Sequence, residues 1–142
     1  MKKITLLTSF VLIAAIAMSQ NVIGNWQTID DKTNQPKSVV EIYQKDGKLY
    51  GKIIQLFRPA DQDQDPTCDV CTDYRKDKKL IGMDIITGMT KDGDTYSGGK
   101  ILDPENGKIY TSKLWVDVKT GKLKVRGYLG PFYRTQVWNP VK

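Results

Sequence analysis

The segment KDGDTYSGGKILDPENGKIYTSKLWVDVKTGKL, residues 91–123, decides the fold, because three glycine turns divide it evenly. Asp92-Gly93, Asn106-Gly107 and Thr120-Gly121 follow one another at a spacing of fourteen residues, and Asp46-Gly47 adds a turn upstream. Such pairs are favoured where the central residues of a turn take positive φ, because glycine has no Cβ and Asn or Asp tolerates the left-handed region. Each interval is long enough for one strand. The spacing therefore predicts an antiparallel meander.

Short runs of β-branched and aromatic residues, separated by Gly, Asp, Asn and Pro, predict about eight strands along the chain. They are placed at residues 22–28, 38–44, 48–56, 80–89, 95–103, 108–118, 122–129 and 134–138. Consecutive strands joined by tight turns must hide their edges, and a closed barrel does so. We therefore expect an all-β fold, an up-and-down antiparallel meander that closes into a small barrel.

The N-terminus has the pattern of a signal peptide over residues 1–19. Lys2 and Lys3 precede an uncharged apolar run that is shorter than the roughly twenty residues a membrane-spanning helix needs. Cleavage after Ser19 would leave one domain, residues 20–142, with no integral membrane segment. We expect an exported protein, either periplasmic or secreted.

The charge balance argues against a nucleic-acid partner. Removal of Lys2 and Lys3 from the 22 basic residues leaves 20 against 16 acidic ones, a net charge of +4. Lysines and aspartates alternate along the chain, whereas a nucleic-acid footprint requires clustered Lys and Arg.

Cys68 and Cys71 form a C-x-x-C pair in the one long connection between predicted strands, residues 57–79. A redox pair would need a lowered thiol pKa, which Asp69 and Asp73 oppose. A zinc site needs four ligands, and a chain without histidine would have to add carboxylates or a second chain. A local disulfide in an oxidising compartment is favoured over both.

The same connection carries Asp61, Asp63 and Asp65 at the spacing with which an EF-hand loop begins. Pro66 then stands where that loop needs glycine, and Thr72 stands where a bidentate Glu should close it. We therefore expect a solvated acidic loop and assign neither a metal site nor a cofactor.

Catalysis would have to use carboxylates, because the chain has no histidine to act as general base. Asp103 and Glu105 are the nearest pair, but they lie in a predicted hairpin turn, where Asp before Pro is common. We therefore expect a protein that is not an enzyme.

Gly24-Asn25-Trp26 on the first strand resembles the Gly-x-Trp motif that opens lipocalin-type barrels. In that family the tryptophan closes the base of the barrel and an arginine from the last strand packs over it. The resemblance implies this role for Arg134, or for Arg126 on the preceding strand, through cation–π stacking. A core tryptophan without that role is the alternative.

Tyrosines are frequent on the predicted strands, and Tyr50 and Tyr110 are candidates for lining an internal cavity. Asp103 and Glu105 are further candidates for contact with a ligand. Tyrosine can orient a partly polar ligand, although strands are rich in it for packing reasons as well.

Nearly the whole chain after residue 20 resembles a bacterial family of small exported proteins known only as a domain of unknown function, DUF2147. The resemblance implies a lipocalin-like barrel in the cell envelope with no established substrate or reaction. It rests on stretches 24–26, 40–43, 46–53, the Cys68 and Cys71 pair, 81–83, 99–110, 123–128 and 134–138.

Two functions follow as hypotheses from a barrel with an internal face. The first is a non-enzymatic envelope protein that binds one small apolar or amphipathic ligand inside the barrel. The alternative is a structural or protein-interaction module whose interior is filled. A carboxylate-based enzyme is the third and least favoured.

Overall fold

The computed structural model describes residues 21–142, so the predicted signal peptide lies outside the described residues. The described chain forms eight antiparallel strands, which confirms the predicted fold class. They are β1 (Gly24–Ile29), β2 (Pro36–Lys45), β3 (Lys48–Leu56), β4 (Asp84–Asp92), β5 (Thr95–Leu102), β6 (Ile109–Val116), β7 (Leu123–Leu129) and β8 (Phe132–Pro140).

The strands follow one another in chain order and form a closed barrel. Closure is made by β1 and β8, where Trp26 is paired with Pro140 and Gln27 with Asn139. Within residues 21–142 there is no helix with both the length and the apolar character needed to cross a membrane.

The predicted start of the fourth strand, Leu80, is wrong by four residues, because β4 begins at Asp84. The backbone of Gly82 has φ +92°, which directs the chain out of a strand conformation. Gly82 N–H donates to the Ile53 carbonyl at 2.6 Å, and the Met83 carbonyl accepts from Ile53 N–H at 3.0 Å. The apolar residues 80–83 therefore form a turn against β3.

Two kinds of tight connection join the strands. Between β2 and β3, Asp46 and Gly47 both have positive φ, 51° and 75°, as a two-residue hairpin turn of the predicted kind requires. At the other three predicted glycine turns only the glycine has positive φ, so the assumption of two left-handed residues is wrong there.

One loop geometry recurs at residues 30–35, 103–108 and 117–122. In each loop the leading Asp N–H donates to the carbonyl five residues later, at 2.8 to 2.9 Å, and its carbonyl accepts from the residue four later at 2.8 Å. The leading carboxylate also accepts from the backbone N–H two residues on. The residue with positive φ is glycine in two loops and Asn34 in the first, which has no glycine.

The barrel has two different ends. The mouth is formed by the β1–β2, β3–β4, β5–β6 and β7–β8 connections, and the other end by the three remaining turns. Buried inward-facing residues of all eight strands form the core between them; Ile42, Ile86, Leu114 and Leu123 are fully buried.

The β3–β4 connection, residues 57–83, crosses the mouth side of the barrel, and we call it the strap. Arg75 anchors it: its side chain is buried, 5% exposed, binds the Asp73 carboxylate at 2.7 Å and donates to the Asp84 carbonyl at 2.8 Å. The Arg75 guanidinium lowers the pKa of Asp73. The strap also rests on the β5–β6 loop, where Gly107 lies directly against the Val70 carbonyl.

Candidate functional site

A cavity of about 1080 Å³ occupies the mouth half of the barrel and opens between the loops at that end. This volume is slightly above the usual range for small-molecule sites, roughly 300 to 1,000 Å³. Its inner wall is largely apolar, and it is lined by Ile53, Leu56, Ile85, Ile101, Val125 and Trp138, among others. The arrangement can hold one small molecule with a large apolar part.

Two hydroxyls interrupt the apolar wall. Thr28 on β1 and Ser38 on β2 are paired in register, both are buried, and their hydroxyl oxygens are 2.6 Å apart. One hydroxyl donates to the other, so one O–H of the pair is left to donate elsewhere. The cavity wall therefore offers one hydroxyl donor at the Thr28–Ser38 pair.

A row of side chains on β8 leads from the mouth into the cavity. Arg134, Gln136 and Trp138 alternate along the strand, which places them on one face, and all three line the cavity. Trp138 N–H donates to the Gln136 side-chain oxygen at 3.0 Å. The carboxylate of Asp31, from the β1–β2 loop, accepts a hydrogen bond from Gln136 Nε2 at 3.1 Å and forms an ion pair with Arg134 Nη2 at 3.0 Å.

Of the predicted site residues, Tyr110 and Arg134 line the cavity from the strands, and Asp103 and Glu105 line it at the rim. Tyr110 packs beside Gly127 of the neighbouring strand, where a Cβ would come 3.4 Å from the tyrosine Cβ. An added Cβ at position 127 would thus be in ordinary van der Waals contact with the tyrosine.

Trp26 lies towards the other end, in the core, with 6% of its surface exposed. Its indole N–H donates to the Val22 carbonyl at 2.8 Å. Neither predicted arginine stacks on it: Arg134 is bound to Asp31, and Arg126 lies outside the barrel. The prediction of an arginine packed over Trp26 is corrected accordingly.

Arg126 is on the outer face because its neighbour on β7, Val125, faces inward. Its guanidinium lies over the rings of Tyr133 at 4.2 Å and Trp115 at 5.1 Å, and its Nε donates to Thr135 at 2.8 Å. Arg126 is therefore part of an outer cation–π cluster and does not reach the cavity.

Tyr50 is also on the outer face, which corrects its assignment as a cavity residue. It is paired with Tyr43, and the two rings stack with centroids 5.9 Å apart. Tyr43 donates its hydroxyl to Asp84 at 2.6 Å, and burial, followed by this hydrogen bond, raises the pKa of Tyr43 well above its ordinary value. The inward residue beside Tyr50 is Gly51, against Val40 and Ile86.

Asp103 and Glu105 lie at the rim of the mouth, and both have structural contacts. Asp103 accepts the Glu105 backbone N–H at 2.9 Å, as the loop geometry requires. The Glu105 carboxylate pairs with Lys37 at 2.7 Å. The two carboxylates therefore serve the loop and its junction with β2.

Cys68 and Cys71 form a disulfide, as predicted, and both are buried.

Of the three aspartates at 61, 63 and 65, Asp65 pairs with Lys79 at 2.8 Å, and Asp63 accepts the Asp65 backbone N–H at 2.9 Å. Across the described residues, no set of three or more Cys, Asp or Glu side chains is grouped closely enough to hold a metal ion.

Sequence reasoning missed Asp31, Gln136 and the Thr28–Ser38 pair. The alternation of Arg134, Gln136 and Trp138 was visible and would have suggested one inward row. Asp31 belongs to no alternating pattern, because it lies in the β1–β2 loop and contacts the β8 row from there.

A solved structure from Helicobacter pylori, described as "Protein HP1028 from the human pathogen Helicobacter pylori belongs to the lipocalin family", has a similar fold. The TM-score is 0.71 and the identity is 20%, with 86% of this chain and 84% of that chain covered. No curated protein sequence matches the chain. The likeness to the solved structure shows the fold, a lipocalin-like barrel. The family model described as "Uncharacterized protein conserved in bacteria (DUF2147)" matches residues 24–139, and the chain belongs to this family.

Proposed function

We propose that the protein is an exported protein of the cell envelope, periplasmic or secreted, that binds one small apolar or amphipathic ligand inside its barrel. The observation that carries the proposal is the cavity of about 1080 Å³, which opens at the mouth and has a largely apolar inner wall below a rim of polar and charged side chains. An apolar cavity with few polar groups is the usual form of a small-molecule site. Export is supported by the N-terminal pattern and by the buried disulfide, which an oxidising compartment would maintain.

The interior polar groups favour an amphipathic ligand over a hydrocarbon. The Thr28–Ser38 pair has one uncommitted O–H, and Gln136 uses one of its two amide N–H groups on Asp31. A ligand with an acceptor oxygen could satisfy either donor, whereas a hydrocarbon could satisfy neither.

Titration with Nile red, an uncharged solvatochromic dye, tests the proposal. We expect saturable uptake with a blue shift of its emission. In the variant Ile101→Trp the larger side chain would fill the cavity from β5 and weaken uptake. Lys100→Trp is the matched control, because it makes the same addition on the exposed side of the same strand. No uptake by the unmodified protein, or equal uptake by both variants, would refute the proposal.

A protein-interaction module is the second candidate, and the outer cluster around Arg126 favours it. Tyr133 of this cluster is exposed, as are its neighbours Phe132 and Leu129 at the β7–β8 hairpin. Covalent cross-linking in envelope extracts, compared between the unmodified protein and Arg126→Gln, whose side chain lies on the outer face and outside the cavity lining, separates this function from ligand binding. A specific cross-linked partner that is lost in the variant would support it. The contacts of Asp103 and Glu105 give no support to a carboxylate-based enzyme.

A further inference from the structure

The β1–β2 loop places an acidic side chain over the inner row of β8. Asp31 Oδ2 accepts a hydrogen bond from Gln136 and forms an ion pair with Arg134, and these two residues are the first two members of the row that descends to Trp138. One carboxylate oxygen thus contacts both polar side chains at the mouth end of the β8 row.

This contact resembles the recognition of a ligand head group more than a structural ion pair. Arg134 and Asp31 are 68% and 49% exposed, and ion pairs at such sites contribute little to stability. Their position is where the head group of an amphiphile would sit, at the boundary between the apolar wall and water. The carboxylate belongs to a loop and not to the barrel wall, so it can be displaced without disturbing the strands.

From this geometry we infer that the ligand is a single-chain amphiphile with an anionic head, a carboxylate or a phosphate monoester, and that Asp31 is a tethered competitor for its site. The inference rests on the proposed function. The ligand head takes the hydrogen bonds of Arg134 and Gln136, and Asp31 moves to solvent.

Two of the other cations that line the cavity, Lys37 and Arg58, are less available to a ligand, and a third, Lys32, lies on the β1–β2 loop outside the β8 row. Lys37 is bound to Glu105 at 2.7 Å, and the guanidinium of Arg58 donates to the Asp63 carbonyl at 2.5 Å. Arg134 differs from both because it lies in line with a polar row that continues into the cavity. From Arg134 to Trp138 the strand rises about 13 Å, which is comparable to an extended chain of about ten carbons.

Displacement of bound Nile red by decanoate, decyl phosphate and decanol tests the inference. In Asp31→Asn the carboxylate charge is removed, and we expect one or both anionic competitors to bind about two- to five-fold more tightly, the range expected for an exposed ion pair. Decanol should be unchanged. The gain should vanish in the double variant Asp31→Asn with Arg134→Gln.

Asp61→Asn is the matched control, because it removes the same charge from the strap at the same end of the barrel, outside the cavity lining. The inference is overturned if Asp61→Asn gives the same gain, if decanol gains as much as the anions, or if the gain survives loss of Arg134. The proposed function stands in all three cases, because it fails only if the dye does not enter the barrel. In that event the inference fails with it.

Discussion

The substitution Gly107→Ala tests how tightly the strap is packed against the barrel. Gly107 has φ +74°, and an added Cβ would overlap the Val70 carbonyl oxygen and lie 2.7 Å from its carbonyl carbon. The left-handed conformation alone costs an alanine about 1–2 kcal/mol. Overlap with backbone adds the cost of overpacking, about 1–3 kcal/mol, because the strap must move.

Gly121→Ala separates these two contributions. Gly121 holds the same position in a loop of the same geometry, its φ is +70°, and an added Cβ would meet nothing within 4 Å. We expect it to lose only the conformational part, so Gly107→Ala should be less stable than Gly121→Ala by about 1–3 kcal/mol.

Urea unfolding followed by far-ultraviolet circular dichroism and by tryptophan fluorescence gives both free energies of unfolding. Equal destabilisation of the two variants would refute the reasoning. It would mean that the strap moves away from the added methyl group without a loss of stability, and that the strap is not tightly packed against the β5–β6 loop.

Three further predictions concern the core, the disulfide and the pH dependence of stability. Trp26→Ala should lower the free energy of unfolding by about 3–5 kcal/mol, because it deletes a buried aromatic side chain; a near-neutral change in urea unfolding would contradict its burial. Protein with the Cys68–Cys71 bridge should show no free thiol on labelling and should gain the mass of two hydrogens on reduction, and two free thiols in material from the envelope would contradict the bridge. Hydrogen bonds from the backbone N–H of Thr33, and to a lesser extent from that of Lys32, lower the pKa of Asp30. The Asp30 carboxylate therefore stabilises the fold at pH values above its unfolded-state pKa, and this stabilisation is lost as the pH falls through its lower folded-state pKa. Asp30→Asn should therefore flatten the loss of stability as the pH falls below about 4, and unfolding curves with the same pH slope as the unmodified protein would count against it.

The turns and strands were largely readable in the sequence because they depend on local chemistry. Glycine turns and alternation placed β3 at Lys48–Leu56 correctly. The start of β4 was missed because residues 80–83 are apolar enough for a strand, and only the tertiary contact with Ile53 reveals a turn. The loop at 30–35 was not recognised as a tight turn because Asn34 takes the left-handed position that glycine takes in its two counterparts.

The cavity residues were harder to predict because a side chain points inward or outward according to register. Arg126 could have been placed outside, since the inward alternation of Leu123 and Val125 leaves it on the opposite face. The position of Asp31 depends on a loop folding over a strand more than a hundred positions away in the chain. No local pattern encodes that contact.

The pairing of β1 with β8, which closes the barrel, is weaker than the pairing of β7 with β8. These strands share two register pairs and one flanking bond from Val141 N–H to the Asn25 carbonyl, whereas β7 and β8 share seven pairs. Local unfolding starts where the fewest bonds must break together. We therefore expect the barrel to open more readily between β1 and β8 than between β7 and β8, and the amide protons of Gln27 and Asn139 to exchange with solvent before those of the β7–β8 ladder.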